Sequence, residues 1–176
     1  MEQIVLPHLP AHPLRACICT DVGNAPLLRQ QLLELLDGNR DFEYAFLDAE
    51  VLLSRNQVLA ACFRAINDML NGRMKSRNVH SEIVFSMSLN NNISESFRRF
   101  GVGEATKHIV AIKVGGNAPQ IQEHLFKHVE GKLVEFTDNA LCQIRDVARV
   151  QNILKLGDVD VQAVGYVLGS MAVKGS

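Results

Sequence analysis

The chain has no tryptophan, only two tyrosines, and no excess of either charge: 18 Lys+Arg stand against 19 Asp+Glu, for a formal net charge of −1. That balance excludes a globally basic nucleic-acid coat, so any nucleic-acid contact must come from a local patch. The four cysteines, Cys17, Cys19, Cys62 and Cys142, form no C-x-x-C pair. Their spacing suits neither a zinc ribbon nor a disulfide framework, and free buried thiols in a reducing compartment are expected. No apolar run approaches a membrane span, and the N-terminus, M-E-Q-I-V-L-P-H-L-P-A-H-P, lacks the basic region of a signal peptide, which together predict an intracellular protein.

Motifs that carry chemistry are equally scarce. There is no G-x-S-x-G elbow, and the G-G-N-A-P segment at Gly115 lacks the G-K-[ST] of a phosphate loop, so a simple turn is expected there. His124 and His128 sit four apart beside Glu123, but no H-E-x-x-H or third ligand accompanies them, which predicts a solvated helix face and no metal. With no nucleophile, metal or cofactor motif, a non-catalytic protein is the economical reading. Two alternatives compete with it: a small intracellular α/β enzyme with a cryptic site at the strand end beside Gly115, and a purely structural adaptor.

The 176 residues, 47% of them apolar, suffice for one core-forming domain spanning 1–176. Ile4–Leu6 reads as a short edge strand closed by Pro7, Pro10 and Pro13. Leu14–Thr20 reads as an internal strand, because its alternate face carries Cys17 and Cys19. Asn24 and Pro26 open a leucine-rich helix ending at Asp37-Gly38, and Glu43–Leu47 makes a second strand, completing a β-α-β unit of the kind that pairs parallel strands. Asp48 caps a helical stripe over 49–71 with a break near Ser54 and Gly72 past its end. A second strand-helix-strand pattern covers 108–114, 120–129 and 132–136. Helices over 140–156 and from Asp160 close the chain, the last with Gly165 and Gly169 on a small-residue face. The fold class predicted is α/β: a small mixed sheet of about four to five strands packed with about seven helices.

Gly72–Gly101 is the unusual stretch. Arg73, Lys75 and Arg77 alternate with Met74, Ser76 and Asn78, Arg98-Arg99 add two cations, and the acids within are only Glu82 and Glu95. Asn92 and Glu95 have capping-box spacing, so first-turn amides beside arginines could take a phosphate. Asn90 and Asn91 suit unpaired base edges, and Phe97 or Phe100 a stacking face. A solvated turn between two helices is the competing reading.

Met74–Val102, M-K-S-R-N-V-H-S-E-I-V-F-S-M-S-L-N-N-N-I-S-E-S-F-R-R-F-G-V, resembles the PRPK-binding proteins, the small non-catalytic subunits of the KEOPS (EKC) tRNA-modification complex. The resemblance continues more weakly over most of the chain. It implies a single α/β domain that binds a small atypical kinase, supports its ATPase activity and performs no chemistry itself. Through that kinase it would meet the subunit that installs threonylcarbamoyl on the adenosine next to the anticodon, in cytoplasm and nucleus. Archaeal members bind the single-stranded 3′ CCA end of tRNA. The matching surface here would comprise Lys75, Arg77, Asn91, Asn92, Ile93, Arg98 and Arg99, with Glu82 orienting one of the cations. Archaeal members tend to read R-Q-I where this chain has Asn91-Asn92-Ile93, one arginine fewer. The implied apolar kinase interface is placed on the last two helices, through Ile144, Val164, Leu168 and Met171.

Overall fold

A computed structural model describes residues 1–34 and 43–154. Within them, seven α-helices and a five-stranded sheet are arranged in three layers. The strands are β1 (Glu2–Ile4), β2 (Leu14–Thr20), β3 (Ala45–Asp48), β4 (Ile109–Val114) and β5 (Lys132–Val134). The helices are α1 (Ala25–Glu34), α2 (Arg55–Leu70), α3 (Val79–Met87), α4 (Ile93–Phe100), α5 (Ala118–His128), α6 (Asp138–Ile144) and α7 (Val147–Leu154).

Every described strand pairing is antiparallel, which corrects the parallel pair expected of the β-α-β units. Strands β2 and β3 do run parallel to each other, but β4 is inserted between them. In the same way β4 and β5 run parallel with β2 between them. The two units are split and interlocked, so each supplies the strand that separates the other's pair. Strand β2 carries β4 along one edge, while β1 opposite Leu14–Ala16 and β5 opposite Ile18–Thr20 share the other.

The alternation along β2 divides the core as its period of two dictates. Leu14, Ala16 and Ile18 enter a large cluster with Val58, Cys62 and Ile66 of α2, Ile83 and Met87 of α3, and Leu141 of α6. Cys17 and Cys19 point the other way, onto Leu28 of α1 and Ile121 and Leu125 of α5. Cys17, Cys19 and Cys62 are buried free thiols as expected; Cys142 is free but exposed.

Several boundaries have identifiable causes. Asp48 caps a 3-10 turn, Ala49–Val51, by accepting from Glu50 N–H, and Ser54 caps α2, so the break expected near Ser54 is real. Gly72, at φ 65°, follows the end of α2. Gly115 and Gly116 turn at φ 74° and 82°, and a Cβ on Gly116 would come within 2.9 Å of Ile121 Cδ1, so this is the plain turn expected before Asn117 caps α5. Asn24 does not cap α1 with its side chain: its amide pins a distant turn, donating to His128 C=O and accepting from Glu130 N–H. The single helix expected over 140–156 is two helices. The break comes where Asp146 N–H donates to Glu50 C=O and the Arg145 guanidinium to Leu52 and Leu53 carbonyls, after which Asp146 accepts from Arg149 N–H to start α7. The helix from Asp160, the Asp37-Gly38 stop and the Gly165/Gly169 face lie outside the described residues.

Candidate functional site

Residues 73–78 run from Gly72 into α3 with a strict alternation: Arg73, Lys75 and Arg77 are exposed, while Met74, Ser76 and Asn78 are partly buried. Met74 packs on the large core cluster, and Asn78 and Ser81 form a reciprocal capping box that opens α3. That box went unread in the sequence, although N-x-x-S ahead of an apolar run carries its signal. Arg73 is held at 3.4 Å by Asp68. Lys75 and Arg77 have no acidic partner among the described residues.

Glu82 does not orient a cation side chain. It is 1% exposed, and its Oε2 accepts from Lys75 N–H (3.1 Å), Ser76 N–H (2.9 Å) and the Ser76 hydroxyl (2.6 Å).

At the far end of α3, nine residues and about 13 Å along its axis, the asparagine run opens α4. Asn92 Oδ1 accepts from Glu95 N–H as expected, but the return half of the box is missing. Asn90 Oδ1 takes the Asn92 amide instead, and the Glu95 carboxylate turns to Arg99 (2.6 Å) and Arg98 (3.0 Å). Arg99 also donates to Ile153 C=O at 3.3 Å, tying α4 to α7. Asn90 and Asn92 are therefore committed to local structure, and Arg99 is largely so. Asn91, Ile93 and Arg98 remain exposed. Of the two phenylalanines, Phe100 is core and Phe97 presents a half-exposed ring one turn from Ile93. The site residues thus fall into two groups along the chain, Lys75 and Arg77 before α3 and Asn91 to Arg99 after it.

Of the expected partner-facing set, Ile144 ends α6 partly buried against the large core. Val164, Leu168 and Met171 lie outside the described residues. Cys142 and Val147 are exposed on the same helix pair; Val147 belongs to the apolar stripe expected over 140–156, but in the first turn of α7 it faces solvent.

Two buried titratable side chains, His80 and Cys62, have structural explanations. His80 lies beside the Gly115 turn with its ionisation pushed down to about 3 by burial and by Lys113, yet its Nε2 is occupied by Val114 N–H at 3.0 Å. Burial pushes the Cys62 thiol up to about 12. A surface depression of about 530 Å³ lies between β1, β5 and α5, and its lining includes Cys17, Phe126 and Glu135. His124 and His128 are not a solvated face: both are half-buried, and His124 stacks on Tyr44 at 5.7 Å and hydrogen-bonds its hydroxyl. Among the described residues no group of three or more His, Cys, Asp or Glu converges as a metal site, and no helix is long and apolar enough to cross a membrane.

A family model described as kinase binding protein CGI-121 matches residues 19–175. The EKC/KEOPS complex subunit cgi121 of Aspergillus fumigatus is 49% identical over 162 residues, covering 89% of this chain and 84% of that protein. The subunit of the same name from Aspergillus terreus is 50% identical over 161 residues, 89% of this chain and 80% of its own. That of Schizosaccharomyces pombe is 31% identical over 175 residues, 98% and 99% of the two chains.

Proposed function

The chain belongs to the CGI-121 family of kinase binding proteins, and we propose that it is the small, non-catalytic regulatory subunit of an EKC/KEOPS complex, the assembly its relatives are named for. In this reading it binds the PRPK-like atypical kinase, supports that kinase's ATPase activity, and through it meets the threonylcarbamoyl-transferase subunit. It also helps hold the 3′ CCA end of tRNA, in cytoplasm and nucleus, while the adenosine next to the anticodon is modified.

The observation that carries the RNA part is the exposure of Lys75 and Arg77 without acidic partners, on a loop anchored from beneath. These two cations take backbone phosphates, Arg98 in the last turn of α4 adds charge, Asn91 meets an unpaired base edge, and Phe97 offers a stacking face. Asn92, Ile93 and Arg99 shape the turn that presents them. The kinase part rests on the family description and on the exposed apolar Val147 close in sequence to Ile144; Val164, Leu168 and Met171 join the proposed interface on their apolar character in the sequence.

Fluorescence anisotropy with labelled tRNA tests the first part. The double variant Lys75→Ala/Arg77→Ala is expected to bind about tenfold more weakly and to lower the salt slope by about 1.4, the loss of two single-strand phosphate contacts. Binding of the intact protein that is indifferent to removal of the CCA end would overturn tail recognition. For the second part, Leu168→Arg should abolish co-purification with the kinase while the isolated subunit stays folded; a retained kinase would reject that interface.

A further inference from the structure

Glu82 is buried, a buried polar side chain needs hydrogen-bond partners, and three donors converge on its Oε2. Two of its three donors are consecutive backbone amides, those of Lys75 and Ser76, and the third is the Ser76 hydroxyl at 2.6 Å. Ser76 Oγ in turn accepts from Ser81 Oγ at 3.0 Å, and Ser81 is locked to Asn78 by the capping box. The network fixes the backbone of residues 75–78 from the protein side. On this bent segment Ser76 is held inward while the Lys75 and Arg77 side chains on either side of it are exposed.

Resting on the tRNA reading above, we propose that Glu82 is a positioning residue for the RNA surface: its carboxylate is an internal anion that preorganises the 75–78 backbone, so that Lys75 and Arg77 meet phosphates without a prior ordering cost. This makes a prediction opposite in sign to that of charge alone. Removing an acid close to two cations should strengthen RNA binding if only the local field mattered. If Glu82 acts by positioning, neutralising it weakens binding, because charge-assisted bonds to the two amides and the hydroxyl are roughly twice as strong as neutral ones.

The test measures affinity for intact tRNA and for a single-stranded RNA ending in CCA, with hydrogen exchange at the Lys75 and Ser76 amides as a second readout. Glu82→Gln is expected to bind about fivefold more weakly and to exchange those two amides about tenfold faster. In the Lys75→Ala/Arg77→Ala background the same substitution should change affinity no further, because it acts through those side chains. If Glu82→Gln does not fold, Ser76→Ala removes the 2.6 Å bond at constant charge and should move affinity and exchange in the same direction. If Lys75→Ala/Arg77→Ala binds RNA as tightly as the unchanged protein, the RNA reading falls and takes this proposal with it. If that variant weakens binding while Glu82→Gln or Ser76→Ala leaves it equal or tighter, the positioning role alone is overturned.

Discussion

His80 gives this fold a stability that depends on pH in one direction. The ring is 5% exposed, its Nε2 accepts from Val114 N–H at 3.0 Å, and its Nδ1 has no hydrogen-bond partner. Protonation would place two N–H donors on a ring that has one acceptor role to fill, in a buried site beside Lys113, and its pKa is accordingly pushed down to about 3, by burial first and Lys113 second. In the unfolded chain a histidine titrates near 6.5. As pH falls below that value the unfolded state takes up a proton that the native state refuses. The contribution is therefore intact above about 6.5 and is lost progressively down to about 3. At pH 5 the loss from this group is about 2 kcal/mol relative to pH 7, or about 1 M in the urea midpoint for a slope near 2 kcal/mol per M. The comparison is His80→Gln, whose side-chain oxygen can accept from the Val114 amide but cannot titrate. Urea unfolding at pH 7 and pH 5 should show a midpoint drop about 1 M larger in the unchanged protein than in the variant. Equal drops in the two proteins, or a His80 ring proton that titrates near pH 6 by NMR, would refute the reasoning.

Two further outcomes follow from contacts in the scaffold. Arg149→Ala removes the guanidinium that α7 places 3.0 Å from the buried Asp48 carboxylate and 2.8 Å from Glu50. Because Arg149 is 43% exposed, water and salt partly replace it, and the expected loss is about 1–2 kcal/mol, read as a fall of roughly 3–6 °C in thermal midpoint; an unchanged midpoint would mean that α7 is not docked through this pair. Under native conditions maleimide should label Cys142 within minutes while Cys17, Cys19 and Cys62 react only after denaturation; early labelling of any of the three would contradict their burial.

How much of this was legible in the sequence depended on whether the signal was local. The two-faced pattern of β2, the break at Ser54, Gly72 past the end of α2 and the Asn92 cap all follow from residues within one turn or strand of each other, and all stand in the structure. The insertion of β4 between β2 and β3 does not, because a strand's own pattern reports which faces are buried and not which neighbour lies along its edge. The same limit explains Asn24: a cap-forming residue before a leucine-rich run gives a strong local signal, but its amide is taken by a turn more than a hundred residues away. The break between α6 and α7 was hidden in the same way, since apolar spacing alone continues through it. What ends α6 there is the pull of Glu50, Leu52 and Leu53 carbonyls on Arg145 and Asp146.

The Gly72–Gly101 stretch divides along the same line. Its alternating cations were visible, and the structure gives them a physical cause: the uncharged residues between them are the anchors, with Met74 on the core, Ser76 on Glu82 and Asn78 on Ser81. What the sequence could not assign was which charges are already spent. Arg98 and Arg99 look equivalent as letters and both pair with Glu95, yet Arg99 also donates to Ile153 C=O and is 24% exposed, while Arg98 remains 74% exposed. Glu82 looked like the natural partner of a cation because it is one of two acids in a basic window. In three dimensions it is spent on backbone amides, and the Lys75 and Arg77 charges are left unneutralised by it. A buried acid that binds main chain forms no ion pair with the cations beside it, so the Lys75 and Arg77 head groups face water unpaired. A count of charges excludes only a globally basic coat; which cations of a nearly neutral chain stand unpaired is decided by such inward-facing acids.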